Sequence, residues 1–285
     1  MFLPNKIMSK KISNSRKAFP SRSMGPHVLQ VIPSAISNID PFVFLDHFGP
    51  FEKTPDFKGV PPHPHAGIAT ISYLLSGSNR HQDSRGHDAL IEAGDLAWMR
   101  AGKGIVHAEG MNENSSDTQI IHGLQFWISL PAKDKFIEPA FNHYPNAVFP
   151  RVIINDVEVK VIYGDLLGAH SPVESLSPTY MYELKMSSDS SVHLPITEGY
   201  TCGLYVVKGS VNADDHRLLP CIMTRFETEG EGIDLSANEE SLILVFGGEP
   251  LNEPIVEYGP FVMNSQEQIA QVIHDYEAGK MGEIQ

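Results

Sequence analysis

Tyr73-Leu74-Leu75-Ser76-Gly77-Ser78 returns later in the chain as Tyr205-Val206-Val207-Lys208-Gly209-Ser210. Each copy is a run of aromatic and aliphatic residues stopped by a small-residue turn, the sequence form of a buried strand. A second echo follows each copy in the same order: Gly102-Lys-Gly104-Ile105 and Gly230-Glu-Gly232-Ile233. Two ordered echoes point to one β unit present twice. Working outward, Ile68–Leu75, Gln119–Leu130, Val157–Tyr163, Tyr180–Met186, Thr201–Val207 and Ser241–Phe246 all read as strands. With 23 Gly and 21 Pro to turn them, the expected fold is all-β, in barrels or sandwiches.

One helix stands apart. Ser265-Gln266-Glu267-Gln268 has the form of a capping box. Ile269, Val272, Ile273 and Tyr276 then recur at helical spacing, and Gly279 is placed to end the run. Such a stripe is far more often a packing face than a partner-binding helix.

The chemistry is carried by two pairs. His63-Pro64-His65 is followed by His107-Ala108-Glu109. Residues at i and i+2 of a strand share a face, so two neighbouring strands would aim three imidazoles and a carboxylate at one point. With 13 histidines in the chain, coincidence and solvated loop histidines are the competing explanation. The setting favours a site, because both pairs flank apolar strand-like stretches and the second follows the turn Ala101-Gly-Lys-Gly104. Three nitrogens and an oxygen suit Fe, Mn, Ni, Co, Cu or Zn, with about two positions of a six-coordinate ion left open. Pro61, Pro62 and Pro64 cannot donate to a ladder, so the first pair belongs on a sheet edge or strand end.

Composition narrows the classes. The chain has 285 residues, 41% hydrophobic and 20% charged, an ordinary globular balance. No apolar run is long enough for a membrane helix. Cys202 and Cys221 form neither a CxxC pair nor a disulfide framework and read as small buried hydrophobes in a reducing compartment. Net charge is −14, yet residues 1–24 hold Lys6, Lys10, Lys11, Arg16, Lys17 and Arg22 and no acid. The remainder has 15 basic against 35 acidic residues, which disfavours direct nucleic-acid binding. The head lacks an apolar segment of secretory length and reads as an untargeted basic arm.

Several longer motifs carry a family resemblance. Phe44-Leu-Asp-His-Phe-Gly-Pro50, Pro62-His-Pro-His-Ala-Gly67, Ser72-Tyr-Leu-Leu-Ser-Gly77, Gly86-His87, Gly94-Asp-Leu-Ala-Trp-Met99, Ala101-Gly-Lys-Gly-Ile-Val-His-Ala-Glu109 and Gly123-Leu-Gln-Phe-Trp127 resemble the pirin family in that order. Gly247-Gly-Glu-Pro250 and Tyr258-Gly-Pro-Phe-Val-Met-Asn264 continue the likeness, which runs from about residue 25 to the C-terminus. It implies a bicupin: two cupin-type β-barrel domains with a short C-terminal helix and a metal in the first barrel only. The expected divisions are a basic arm 1–24, a metal-binding domain 25–150, and a metal-free domain 151–285 ending in the helix. The implied ligands are His63, His65, His107 and Glu109, with iron(II) as first choice of one divalent ion. Common cupins place a Glu four or five residues after H-x-H, where this chain has Ala69 and Thr70. Glu109 must then supply the carboxylate.

The resemblance also implies an activity, oxidation of a flavonol such as quercetin or a related enol by dioxygen, of the 2,4-dioxygenase type. The metal acidifies the flavonol 3-hydroxyl, and the electron-rich enolate reacts with dioxygen, opening the ring with loss of carbon monoxide. Glu109 is the ligand able to act as general base. A different class is a redox-responsive transcription co-regulator that works through a protein partner. Metal is common to both, and turnover separates them. The expected compartment is the cytoplasm, or the nucleus in a eukaryote, and a monomer is expected. Asp46 and His47 read as a structural turn and His87 as a loop histidine. His122 and Gln125 divide between core packing and a bond to a ligand imidazole. Trp98 and Trp127 read as core aromatics, and Arg100 and Lys103 as offsets to nearby acids. Extending the echoes sets Leu235 opposite His107, Ala237 opposite Glu109, and Pro195 and Thr197 opposite His63 and His65.

Overall fold

The computed structural model describes residues 8–21, 27–32, 39–54, 57, 59–110 and 118–284. Lys6 and Arg22 of the basic head lie outside them. The chain forms two compact units. The first gathers Phe19–Asn38, Phe42–Val148 and Leu251–Gln285, and the second Met1–Ala18, Ile39–Pro41 and Phe149–Pro250.

All six strands read from the sequence are present, as Ile68–Ser76, Gln119–Ser129, Val157–Tyr163, Thr179–Met186, Thr201–Lys208 and Ser241–Gly248. They occupy the middle of two seven-stranded sheets, where both faces are covered and an apolar run is the stable choice. In the first unit the sheet order is Ala140–Tyr144, Leu96–Arg100, Ile68–Ser76, Gln119–Ser129, Phe42–Lys53, Val28–Ile32 and Phe19–Pro20. In the second it is Ile12–Lys17, Ile222–Phe226, Thr201–Lys208, Ser241–Gly248, Thr179–Met186, Val157–Tyr163 and Arg151–Ile154. Each unit adds a four-stranded sheet: Val60–His65, Ile105–Gly110, Ser78–Asp83 and Asp88–Glu92 in the first, and Ser191–Pro195, Gly232–Ala237, Val211–Ala213 and His216–Leu218 in the second. The two units are the same design strand for strand, as the echoes predict.

Two divisions drawn from the sequence differ from these units. Ile12–Lys17, inside the expected basic arm, is a strand paired antiparallel with Ile222–Phe226. It holds the edge position in its sheet that Ala140–Tyr144 holds in the other. Ile-Ser-Asn-Ser-Arg-Lys shows no apolar alternation, because five of its six side chains are exposed, and backbone pairing makes it a strand, helped by Ile12 on the core and Ser15 bonded to Thr224. The tail also changes unit. The hairpin Val256–Tyr258/Phe261–Met263 and the helix Gln266–Glu277 pack in the first unit.

The helix starts as predicted. The Ser265 hydroxyl accepts from the Gln268 N–H at 3.3 Å, and Gln268 Oε1 accepts from the Asn264 N–H at 2.8 Å, one residue earlier than in a regular capping box. Ile269 and Val272 are its buried residues. They join Phe261, Met263 and Met281 in a cluster with Ala66 and Val106. Ala66 follows His65 and Val106 precedes His107, so the tail braces the back of both histidine strands.

Gly67 closes the first histidine strand at φ +76°, and a Cβ there would lie 2.0 Å from the Val262 carbonyl oxygen. Only glycine fits so near a neighbouring backbone. The buried Lys135 ammonium donates to that same oxygen at 3.0 Å, to the Gly67 oxygen at 2.8 Å and to Ser129 Oγ at 2.8 Å. It thereby ties the strand end to the tail. Cys202 is buried as expected, whereas Cys221 is half-buried in a turn at φ +64°. Among the described residues no helix is long and apolar enough to cross a membrane.

Candidate metal centre

Among the described residues Val60–His65 is the edge strand of its four-stranded sheet, bonded only to Ile105–Gly110, as its prolines require. In the ladder His107 faces His63, and Ile105 faces His65. Period-two alternation therefore sends His63, His65 and His107 to one side. Their rings form a triangle with centroids 4.4, 4.9 and 5.0 Å apart. One nitrogen from each lies within 4.8 Å of the others, close enough for a single ion.

Two imidazoles are oriented by backbone carbonyls. His63 Nδ1 pairs with the Pro61 oxygen at 2.9 Å, and His65 Nδ1 with the Pro260 oxygen at 3.2 Å. A carbonyl only accepts, so Nδ1 carries the proton and Nε2 presents its lone pair. His65 Nε2 and both nitrogens of His107 are buried with no hydrogen-bond partner. Burial, reinforced by His63, lowers the His65 pKa to about 3 against the opposing bond to Pro260. Burial, followed by His65, His63 and His81, takes His107 well below the usual range. Neutral imidazoles with bare, convergent nitrogens are the form that binds a metal ion, and such bare nitrogens are otherwise costly.

Glu109 follows His107 on the same strand, 9% exposed. Its carboxylate spans to the seven-stranded sheet. Oε1 accepts from Ser72 Oγ at 2.5 Å, and Oε2 from Gln125 Nε2 at 2.7 Å. Gln125 is held in turn, because Trp127 Nε1 donates to its Oε1 at 3.3 Å. The Trp127 ring lies 4.9 Å from His65 and stacks on Phe44 at 4.1 Å. The three histidines converge without Glu109: its carboxylate, two residues from His107 on the same strand, lies outside the converging group and is turned to Ser72 and Gln125.

Other residues fall into place around this group. Gln125 bonds to Glu109 rather than to an imidazole. Trp127 borders the site, while Trp98 is core at 1% exposure. Asp46 and His47 lie in the strand Phe42–Lys53, both buried, not in a turn. His47 Nε2 meets His122 Nε2 at 2.6 Å. Lys103 and Arg85 pair with Glu138, and the Arg100 guanidinium lies over Trp98. Sequence reasoning passed over Ser72 and His81. His81 is paired with Glu109 in register and stacked on Phe141 at 3.9 Å, its ring 5.5 Å from His107. His81 and His87 both bond to the buried Asp83. A histidine at i+2 from an acid on a strand was the available signal for His81.

The second unit supplies an internal comparison. There Leu235 faces Val192, and Ile233 faces Leu194. With Ile233 matched to Ile105, the positions of His63, His65, His107 and Glu109 hold Val192, Leu194, Leu235 and Ala237. All four are buried in that unit's apolar core. The ladder thus replaces Pro195 and Thr197 with Val192 and Leu194 as counterparts of the first pair, since side-chain direction follows register and not residue count.

Comparison with known proteins agrees with this architecture. The Pirin family profile matches residues 24–128, and that of the Pirin C-terminal cupin domain matches residues 181–282. A pirin-like protein of Solanum lycopersicum is 35% identical over 281 residues, covering 97% of this chain and 91% of that protein. Human pirin is 34% identical over 282 residues, covering 97% and 92%. The crystal structure of a quercetin 2,3-dioxygenase from Acinetobacter baumannii superposes with a TM-score of 0.92 at 29% identity, covering 98% of this chain and all of that one. The doubled barrel, the histidines confined to its first copy and these likenesses make the chain a member of the pirin family, built from two cupin domains.

Proposed function

We propose that this protein is a metal-dependent dioxygenase that opens the central ring of a flavonol such as quercetin. The observation that carries the reading is the trio of buried, partnerless nitrogens on His65 and His107, facing a third imidazole where the sister barrel has valine and leucine. The Acinetobacter relative, by name a quercetin 2,3-dioxygenase, supports the substrate class. His63, His65 and His107 are the nitrogen donors. Glu109 is the fourth, since each carboxylate oxygen keeps a second lone pair after accepting its bond from Ser72 or Gln125. This set accommodates Fe(II), the ion the family likeness implies, and equally Mn, Ni, Co, Cu and Zn.

When bound, the ion would acidify the flavonol hydroxyl and provide open positions for substrate and dioxygen. The chain's own groups do the rest. The Pro61 and Pro260 carbonyls hold two imidazoles in the binding tautomer. Ser72 and Gln125 orient Glu109, and Trp127 with Phe44 forms an apolar wall on which a flat aromatic ring packs without water.

The test is purified protein with metal content measured by mass spectrometry, incubated with quercetin in air while carbon monoxide and ring-opened product are followed. Turnover that scales with bound metal and vanishes in His63→Ala is expected. Carbon monoxide in step with product identifies attack at carbons 2 and 4. Full metal occupancy with no consumption of any flavonol would end the dioxygenase reading.

A further inference from the structure

Among the described residues three buried carboxyls face the interior of the first barrel, and their surroundings differ. Glu109 has both oxygens engaged, by Ser72 and Gln125. Asp83, in register with His107, is held by His81, His87 and the Arg85 N–H. The third is Asp46. In the seven-stranded sheet Asp46 is paired with Gln125, and Gln125 with Ser72. Paired residues share a face, and Ser72 and Gln125 both reach Glu109, so Asp46 stands on the interior face one strand beyond Gln125. Its neighbours along the strand confirm that direction. Phe44 stacks on Trp127, and the Phe48 ring fills the space a Cβ on Gly123 would take, at 2.5 Å. Asp46 sits between these two aromatic rings at 6% exposure, with Oδ1 buried and partnerless.

The sister barrel indicates what the fold does without such a group. With Tyr205 matched to Tyr73, the row Ser72, Gln125, Asp46 becomes Leu204, Val245, Tyr182. The Tyr182 hydroxyl donates to the Asp165 carbonyl oxygen at 2.5 Å, so nothing polar is left bare. A bare carboxyl in a barrel that can be built without one is a cost that a bound partner relieves.

We propose that Asp46, rather than Glu109, takes the proton of a substrate hydroxyl, and that Glu109 serves as a fixed metal donor. The inference rests on the flavonol reading above. The step is one proton transfer: the substrate O–H bond breaks, an O–H bond forms on the Asp46 carboxylate, and the substrate becomes an oxyanion. No electrons move between partners. A carboxylate that already accepts two hydrogen bonds and binds a cation is a weak base, and two carboxyls in unlike environments divide acid–base duties in this way. Burial alone pushes Asp46 up to about 7, matched to proton exchange at neutral pH. The groups facing the interior with it are the uncharged Gln30 and Gln125 on its own sheet, and Glu109, Asp83, His63, His65, His81 and His107 on the opposing one. Flanking phenylalanines would give a flat ring an apolar surface on either side of the carboxyl.

The experiment uses metal-loaded protein and quercetin without oxygen, reading the long-wavelength absorption of the ionised flavonol against pH, then kcat in air. Asp46→Asn keeps the shape and loses the base. The expected result is unchanged metal content, flavonolate formation moved to higher pH, kcat at pH 7 reduced about a hundredfold, and partial recovery in Asp46→Glu. If the amide variant does not fold, Asp46→Ser carries the same comparison. Wild-type flavonolate formation and kcat in a metal-replete variant would overturn the role of Asp46 and leave the dioxygenase reading intact. Wild-type protein that binds metal but neither ionises nor consumes quercetin would overturn both.

Discussion

His63 and His107 face each other across the antiparallel ladder between Val60–His65 and Ile105–Gly110, ring centroids 4.4 Å apart. The positions matched to them in the second barrel, Val192 and Leu235, face each other in the same way. One backbone arrangement thus supports a polar cluster in one copy and an apolar core in the other.

Replacing the cluster with its apolar counterpart should therefore stabilise the metal-free protein. In His107→Leu two buried partnerless nitrogens disappear, each costing about 1–3 kcal/mol when unsatisfied. Thermal melts in chelator should move up by several degrees, and added metal should raise the melting temperature of the wild type only. A variant less stable than wild type in chelator would mean that His107 is satisfied in the metal-free fold.

Gln125 holds Glu109 from the opposite sheet at 2.7 Å. Gln125→Val, copying Val245, removes that bond and frees the carboxylate to turn. Loss of such a supporting contact lowers metal affinity about 10–100-fold. Titration with a competing chelator checks this, and unchanged affinity would exclude Glu109 from the donor set.

Lys135 makes three bonds through one buried ammonium. Lys135→Met leaves the Gly67 and Val262 carbonyls without it. Bonds to a charged group contribute about 1.5–3 kcal/mol each, so a loss of at least 3 kcal/mol is expected in urea unfolding. A change below about 1 kcal/mol would mean that water replaces the ammonium.

Stability of the metal-free protein should rise with pH across the acid range. Burial lowers His65 from 6.5 to about 3 and, with His122, lowers His47 to about 4. Below pH 6.5 the unfolded chain takes up protons that these folded imidazoles refuse, so stability falls as the pH drops towards 4 and then 3. Asp46 opposes this. Its folded form keeps a proton up to about pH 7 against 3.8 when unfolded, a contribution lost as pH rises through that window. Asp46→Asn should therefore steepen the rise between about pH 4 and 6.5. A flatter profile in the variant would place the proton elsewhere.

Much of the fold was legible because its signals are local. Apolar runs ended by Gly-Ser marked the central strands, Ser265 and the Ile269–Val272 spacing marked the helix, and H-x-H at period two marked the histidine face. What escaped were relations across long separations. Ile12–Lys17 has the polar sequence of a loose arm and becomes a strand only because Ile222–Phe226 offers it a free edge. Asp46 sits in a motif that reads as a turn, and the register of three strands brings it level with Gln125 and Ser72.

The sequence alone determined the doubled β architecture, the family and the identity of the three histidines, since residue type and period-two spacing decide strand, face and donor chemistry. Tertiary structure alone decided which carboxyl is clamped and which is bare, which carbonyls orient the imidazoles, and that the tail containing Pro260 braces the site. Those outcomes depend on strand register and on contacts between residues far apart in sequence, where a shift of one position turns every side chain to the opposite face.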